Sequence, residues 1–134
     1  SRYMQLLQSK TGEWKEKMAP YKGTLIISYH DTFNYFYKRY GLVNVDTLEK
    51  RPGVPPSPRH LSDVIQKVKE KGIPLLFHEL FHDKKPSGLV ASRSGATLLI
   101  LPVSVGSTTE SENYISLIDT IVEQFVAVMG KRKK

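Results

Sequence analysis

Apolar residues recur along this chain in two rhythms, one typical of strands and the other of helices. Short apolar, β-branched runs predict four strands, at 24–29, 42–46, 73–77 and 96–101. Helical spacing predicts helices between and around them, at 2–18, 31–40, 57–71, 87–94 and 112–129. Strands that alternate with helices predict an α/β fold, a three-layer sandwich in which helices flank a four-stranded parallel sheet.

Local signals mark where several of these helices begin and end. Ser57 followed by Pro58 predicts a helix start, because serine caps a helix and proline suits its first turn. Asp31 or Thr32 is expected to cap the second helix, and Gly41 is expected to end it. The last helix is expected to turn one face inward, namely Tyr114, Leu117, Ile118, Ile121, Phe125 and Val128.

Composition narrows the class of protein. The chain has 134 residues, of which 40% are hydrophobic and 25% charged, as in a single globular domain. Cysteine is absent, which excludes disulfides and thiolate ligands or nucleophiles. No apolar run is long enough to span a bilayer. No signal peptide is recognisable, and the chain starts at Ser1 rather than Met, as a processed product or an excised fragment would.

The net charge of +7 raises the question of nucleic-acid binding. Four of these charges belong to the terminal residues 131–134, which are typical of a solvated tail. No basic strand rich in aromatic residues and no known nucleic-acid motif accompanies them. We therefore expect no nucleic-acid partner.

The segment from His78 to His82 matches the H-E-x-x-H pattern of zinc hydrolases. That chemistry needs both histidines on one face of a helix, with the glutamate beside them as a base. Here the pattern directly follows an apolar strand, and Pro86 comes soon after it. No histidine follows His82 to serve as a third ligand. A hydrolase is thus a remote alternative; we expect no catalytic residues and no enzyme.

In parallel α/β folds, ligands gather where the strands reach their carboxyl ends. His30 stands at the end of the first predicted strand, and His78 to His82 follow the third. The loop that begins at Pro102 follows the fourth. The sequence therefore predicts that these segments meet at one edge of the sheet.

The stretch "SYHDTFNYFYKRYGL", at 28–42, resembles the metal-binding solute-binding proteins of zinc and manganese ABC importers. The similarity continues in order through "PGVPPSPRHLSDVIQKVKEKGIPLLFHE", "VASRSGATLLILPVSVG" and "YISLIDTIVEQFVAVM". Residues 1–22 look like the helix that links the two lobes of that family. Residues 23–134 look like its C-terminal lobe, and nothing here resembles its N-terminal lobe.

The resemblance implies a receptor that captures a metal, zinc or alternatively manganese, and delivers it to an ABC permease. It also implies a place in the periplasm or tethered to the cell surface. His30 corresponds to a metal ligand of the family. Glu79 corresponds to the glutamate that ends the third strand, where it would bind metal, support a histidine or bond to backbone. Asp31 would line the cleft.

The resemblance implies the other candidate site residues less directly. His82 and His78 have no general counterpart in the family, but both lie near the predicted edge. Ser104 and Gly106 would line the cleft through their backbone. Two lobes normally share the ligands, so this lobe alone is expected to bind zinc weakly.

One departure from the family concerns the segment after the last strand. The family often has an aspartate ligand there, whereas this chain has "LPVSVG", at 101–106. An alternative is therefore a one-lobe scaffold or interaction module that has lost metal binding or kept it only weakly. Fold alone does not separate the two, because one fold serves many functions.

Overall fold

The computed structural model of the chain describes residues 1–80, 82–101 and 110–132. Within them, helices and strands follow one another in this order: α1 Arg2–Met18, β1 Leu25–Ser28, α2 Asn34–Tyr40, β2 Val43–Thr47, α3 Pro58–Lys71, β3 Leu75–Glu79, α4 Lys85–Ser94, β4 Thr97–Leu101 and α5 Glu110–Arg132. Short 3₁₀ turns at Ala19–Tyr21 and Asp31–Phe33 join α1 to β1 and β1 to α2.

The strands form one sheet in the order β2-β1-β3-β4, and every neighbouring pair is parallel. Two apolar cores cover its two faces. One core joins the sheet to α1, α2 and α5, and includes Trp14, Phe36, Phe77 and Phe125. The other joins it to α3 and α4. The predicted three-layer α/β fold is thus confirmed.

Several predicted helix ends are also confirmed. The Ser57 hydroxyl accepts a hydrogen bond from the backbone N–H of His60 over 3.1 Å, and Pro58 opens α3. Gly41 ends α2 with a φ of +71°, in the left-handed region that glycine adopts without strain. A Cβ at this position would lie 2.7 Å from Cγ of Lys22, so space as well as backbone conformation favours glycine.

Strand β3 runs two residues later than predicted. The backbone N–H of Ile73 donates to the carbonyl of Val68 over 3.1 Å and so completes the end of α3. Pro74 has no N–H to offer a neighbouring strand. The strand therefore begins at Leu75, and its last two residues, His78 and Glu79, lie inside the sheet and are fully buried.

The inward face of α5 differs in part from the prediction. Ile118, Ile121 and Phe125 are buried as expected, but Tyr114 is 36% exposed. Ile115 and Val122 are buried in addition, one residue further along the chain than Tyr114 and Ile121. The helix is rotated slightly relative to the predicted face, which brings the β-branched residues to the core.

A polar contact fastens α1 to α5 at the edge of the first core. The indole N–H of Trp14 donates to Oδ1 of Asp119 over 3.0 Å, and the Lys10 ammonium donates to the same oxygen over 3.2 Å. Trp14 is only 2% exposed, so its N–H depends on this carboxylate. Burial alone raises the pKa of Asp119, but the hydrogen bonds from Trp14 and Lys10 and the nearby lysine charges outweigh it and lower the pKa.

Replacing Asp119 by alanine is expected to lower the free energy of unfolding by about 1–2 kcal/mol, because the buried N–H of Trp14 loses its acceptor. Since folding lowers the pKa of Asp119, the carboxylate stabilises the fold above its ordinary pKa of 3.8. That contribution disappears as pH falls through the lowered pKa. Urea unfolding across the acid range measures both effects.

Lys10→Met is the matched control, because it removes the partly buried ion pair with Asp119 and leaves Trp14 its acceptor. We expect it to cost less than about 1 kcal/mol. Equal losses in the two variants would contradict the role given to the indole.

Candidate metal site

The structure brings His30, Glu79 and His82 together at the carboxyl edge of the sheet, where β1 and β3 end. The ring centroids of His30 and His82 lie 5.9 Å apart. Nε2 of His82 lies 3.5 Å from Oε2 of Glu79. The edge predicted from the parallel topology is therefore the place where these three side chains meet.

Two residues of the turn that follows His30 hold one nitrogen of its ring. Nδ1 lies 3.2 Å from the hydroxyl of Thr32 and 3.3 Å from Oδ1 of Asp31. The side chain remains 29% exposed. With Nδ1 held in this way, Nε2 is the nitrogen that the geometry offers to a metal.

Asp31 does not cap a helix, contrary to the prediction. Neither the 3₁₀ turn at Asp31–Phe33 nor α2 has a side-chain hydrogen bond at its start. The carboxylate lies beside the His30 ring instead, because the turn begins directly at Asp31 and leaves no N-cap position for it. Asp31 also lines a hollow of about 450 Å³ next to His30.

Glu79 is a buried carboxylate in an unusual position. It has no exposed surface, and within the described part of the chain its oxygens accept no hydrogen bond of good geometry, although its own backbone N–H, the Thr32 hydroxyl and the His82 ring lie nearby. Burial raises its pKa, while its own backbone N–H, the Thr32 hydroxyl and the neighbouring His82 and His30 oppose that effect. A buried anion without hydrogen bonds costs free energy, which a bound cation or an imidazole N–H would offset.

Glu49 belongs to the same edge, and the sequence analysis did not single it out. It is 9% exposed, and Oε1 lies 3.9 Å from Nε2 of His30. The hydroxyl of Tyr29 donates to Oε2 over 3.1 Å, and the N–H of Gly53 donates to Oε1 over 3.4 Å. Its place just after β2, at the carboxyl end, was the signal that could have identified it.

Tyr29 connects the groups at this edge. Its ring centroid lies 4.9 Å from that of His78 and 4.8 Å from that of His82. Burial, together with its hydrogen bond to Glu49, raises the pKa of Tyr29 to about 12. The phenol is therefore a hydrogen-bond donor at neutral pH, and its ring fills the space under the histidines.

His78 points to the other face of the sheet and is fully buried. Nδ1 lies 2.8 Å from the hydroxyl of Ser87, and Nε2 lies 3.0 Å from the carbonyl of His82. Burial lowers the pKa of His78, so the neutral ring is favoured. Both nitrogens are in use, and we leave His78 out of the proposed ligands.

The remaining candidates, Ser104 and Gly106, lie outside the described residues. Among residues 1–80, 82–101 and 110–132, no group of three or more His, Asp or Glu side chains is arranged to hold a metal ion. In the same part of the chain, none of the helices combines the length and the apolar character needed to cross a membrane.

Two curated proteins are similar to this chain. It is 28% identical over 122 residues to the high-affinity zinc uptake system protein ZnuA of Paracoccus denitrificans (strain Pd 1222), a match that covers 88% of this chain and 37% of that protein. It is 25% identical over 121 residues to the zinc-binding lipoprotein AdcA of Streptococcus pneumoniae (strain ATCC BAA-255 / R6), covering 87% of this chain and 24% of that one. The chain thus spans about a third and about a quarter of these relatives.

Solved structures confirm the fold. The solute-binding protein FpvC of Pseudomonas aeruginosa in complex with Ni²⁺ superposes with a TM-score of 0.79 at 19% identity, over 98% of this chain and 49% of that one. FpvC is also known in complex with Mn²⁺.

The family comparison covers nearly the whole chain. The family described as "ZnuA: Zinc-uptake complex component A periplasmic" matches residues 1–128. Its description and the lipoprotein relative agree with the predicted place in the periplasm or at the cell surface. These relatives are binding and uptake proteins, which confirms that the chain is not an enzyme. The match also confirms the resemblance drawn from the sequence, and the chain belongs to the ZnuA family of zinc-uptake components.

Proposed function

We propose that this chain is the C-terminal lobe of a receptor that captures zinc and delivers it to an ABC permease. Residues 23–134 would form the lobe, and residues 1–22 would link it to an N-terminal lobe. The observation that carries the proposal is Glu79, a fully buried carboxylate that accepts no hydrogen bond of good geometry and lies near His82 and His30 at the ligand edge. A divalent cation is the partner that such a group lacks.

The donor atoms at this edge fit zinc. Zinc is bound in proteins by imidazole nitrogen and carboxylate oxygen when no thiolate is present, and it takes four ligands. His30 offers Nε2, while Glu79 either binds the metal or supports a histidine that does. Manganese prefers more oxygen ligands, so the histidines at this edge favour zinc over manganese.

Zinc takes four ligands, and the described residues of this edge offer fewer than four, which supports a site shared with another lobe. The chain matches only about half of the length of FpvC and less of its curated relatives. A metal held between two lobes gains affinity because the second set of contacts forms at a high effective concentration. Capture would close the lobes on the metal, and the closed form would dock on the permease.

The second candidate is a scaffold or interaction module that binds metal weakly or not at all. The observation that favours it is the absence of any carboxylate between Leu101 and Glu110, where the family often has an aspartate ligand. In the proposed receptor, another group replaces this aspartate as a metal ligand.

Zinc titration separates the two candidates. We expect the longer protein, with the preceding lobe, to bind zinc about 100-fold or more tightly than residues 1–134 alone. Competition with a chelator of known affinity measures both constants. A longer protein that binds zinc no better than the isolated chain would favour the scaffold and contradict the receptor.

A further inference from the structure

The first two residues of the H-E-x-x-H segment, His78 and Glu79, belong to strand β3 rather than to a helix, and both contact His82 in the structure. We propose that His82 is a metal ligand of this lobe, that Glu79 orients its ring, and that His78 fixes its backbone. This inference rests on the proposed function. It assigns to His82 the place left without a carboxylate after β4.

The spacing of the two exposed imidazoles suits one zinc ion. Zinc–nitrogen bonds of about 2.0–2.1 Å in a tetrahedral site place the centroids of two ligating rings about 5 Å apart. The centroids of His30 and His82 are 5.9 Å apart, with an angle of 32° between the ring planes. The observed separation of the centroids is thus within about 1 Å of that expected for two rings bound to one ion.

Glu79 stands where a ligating histidine usually has its supporting carboxylate. Histidines that bind metals donate their other ring N–H to a carboxylate or a carbonyl, which fixes the tautomer and the ring orientation. Nε2 of His82 faces Oε2 of Glu79 over 3.5 Å. With Nε2 turned to the carboxylate, the ring would bind zinc through Nδ1. This role accounts for a buried carboxylate at the end of β3.

His78 holds the backbone that carries His82. A carbonyl only accepts, so Nε2 of His78 carries the proton and donates to the carbonyl of His82 over 3.0 Å. Nδ1 then accepts from the hydroxyl of Ser87 over 2.8 Å. The N–H of His82 donates in turn to the carbonyl of Glu79 over 3.1 Å.

Both backbone polar groups of His82 are thus bonded to the last two residues of β3. The Tyr29 ring packs against the rings of His78 and His82. His78 is a positioning residue, because it acts on the metal only through His82.

The test uses the two-lobe protein and measures zinc affinity for the wild type, His82→Ala, His78→Met and the double variant. We expect His82→Ala to weaken zinc binding by about 10- to 100-fold, and His78→Met to weaken it less. The double variant should bind zinc as His82→Ala does, because His78 acts through His82. With Co²⁺ as the probe, His82→Ala should change the visible spectrum, since a nitrogen ligand is lost.

Several outcomes would overturn the inference. One is a His82→Ala variant that binds zinc as tightly as the wild type and leaves the Co²⁺ spectrum unchanged; the proposed function would then stand without this ligand. Another is a further loss of affinity when His78→Met is added to His82→Ala, which would mean a general structural role for His78. If wild-type protein binds no zinc, the proposed function itself fails and this inference fails with it.

His78 is buried, so His78→Met requires a check of folding by thermal unfolding. Ser87→Ala is the second variant, because it keeps the ring and removes only the hydroxyl that fixes its tautomer. We expect Ser87→Ala to weaken zinc binding in the wild-type background and to have no effect in the His82→Ala background. An effect of equal size in both backgrounds would contradict the positioning role.

Discussion

Replacing His30 by alanine is expected to weaken zinc binding by the two-lobe protein by about 100-fold or more. Loss of a partner that only supports a ligand typically costs about 10- to 100-fold, and loss of the ligand itself should cost at least as much. His30 is suited to this role because Asp31 and Thr32 hold Nδ1 and leave Nε2 toward the edge. Chelator competition at neutral pH measures the change.

His60→Ala is the matched control for His30→Ala. His60 is also partly buried, and its Nε2 is engaged within the protein, where it donates to the carbonyl of Thr47 over 2.9 Å. We expect its removal to leave the zinc affinity unchanged. If His30→Ala binds zinc as tightly as His60→Ala, the assignment of His30 as a ligand is wrong.

Replacing Glu79 by methionine is expected to raise the free energy of unfolding of the zinc-free protein by about 1–3 kcal/mol. Methionine has a similar length and no polar atoms, so the substitution removes a buried charge that accepts no hydrogen bond of good geometry. The same change should weaken zinc binding, because the carboxylate beside His82 is lost. Stability and metal affinity would thus move in opposite directions.

Glu49→Met is the matched control, because Glu49 is a second nearly buried carboxylate at the same edge. Its oxygens accept hydrogen bonds from Tyr29 and Gly53, and Tyr29 is only 5% exposed. We expect Glu49→Met to lower the free energy of unfolding by about 1–2 kcal/mol, since the Tyr29 hydroxyl loses its acceptor. Urea unfolding with a metal chelator present compares the variants. A loss of stability in both would contradict the cost that we assign to burying the Glu79 carboxylate.

Signals that act within a few residues of one another predicted much of this fold. Ser57 with Pro58, and glycines such as Gly41, mark helix ends through hydrogen bonds and backbone angles that involve only near neighbours. Strand β3 was predicted two residues too early because Ile73 completes the end of α3, and an apolar run alone does not reveal that bond. Parallel topology then led correctly to one edge for His30 and Glu79.

The contacts within the site were harder to predict, because they join residues from different loops. Glu49 reaches Tyr29 and comes near His30 only after β1 and β2 have paired. Whether Asp31 caps a helix or supports His30 depends on a single turn of backbone. No hydrophobic pattern encodes such choices, since polar side chains at a surface edge follow no period.

The contact of Trp14 and Asp119 has a mechanical consequence. It fastens the last two turns of α1 to the body of the lobe, and the 17 residues of α1 extend for about 25 Å. Tyr3 and Leu7, near the start of α1, pack against the first core as well, so the helix is held along its length rather than at one end. A shift of α5 would therefore carry α1 with it as one body over its whole length.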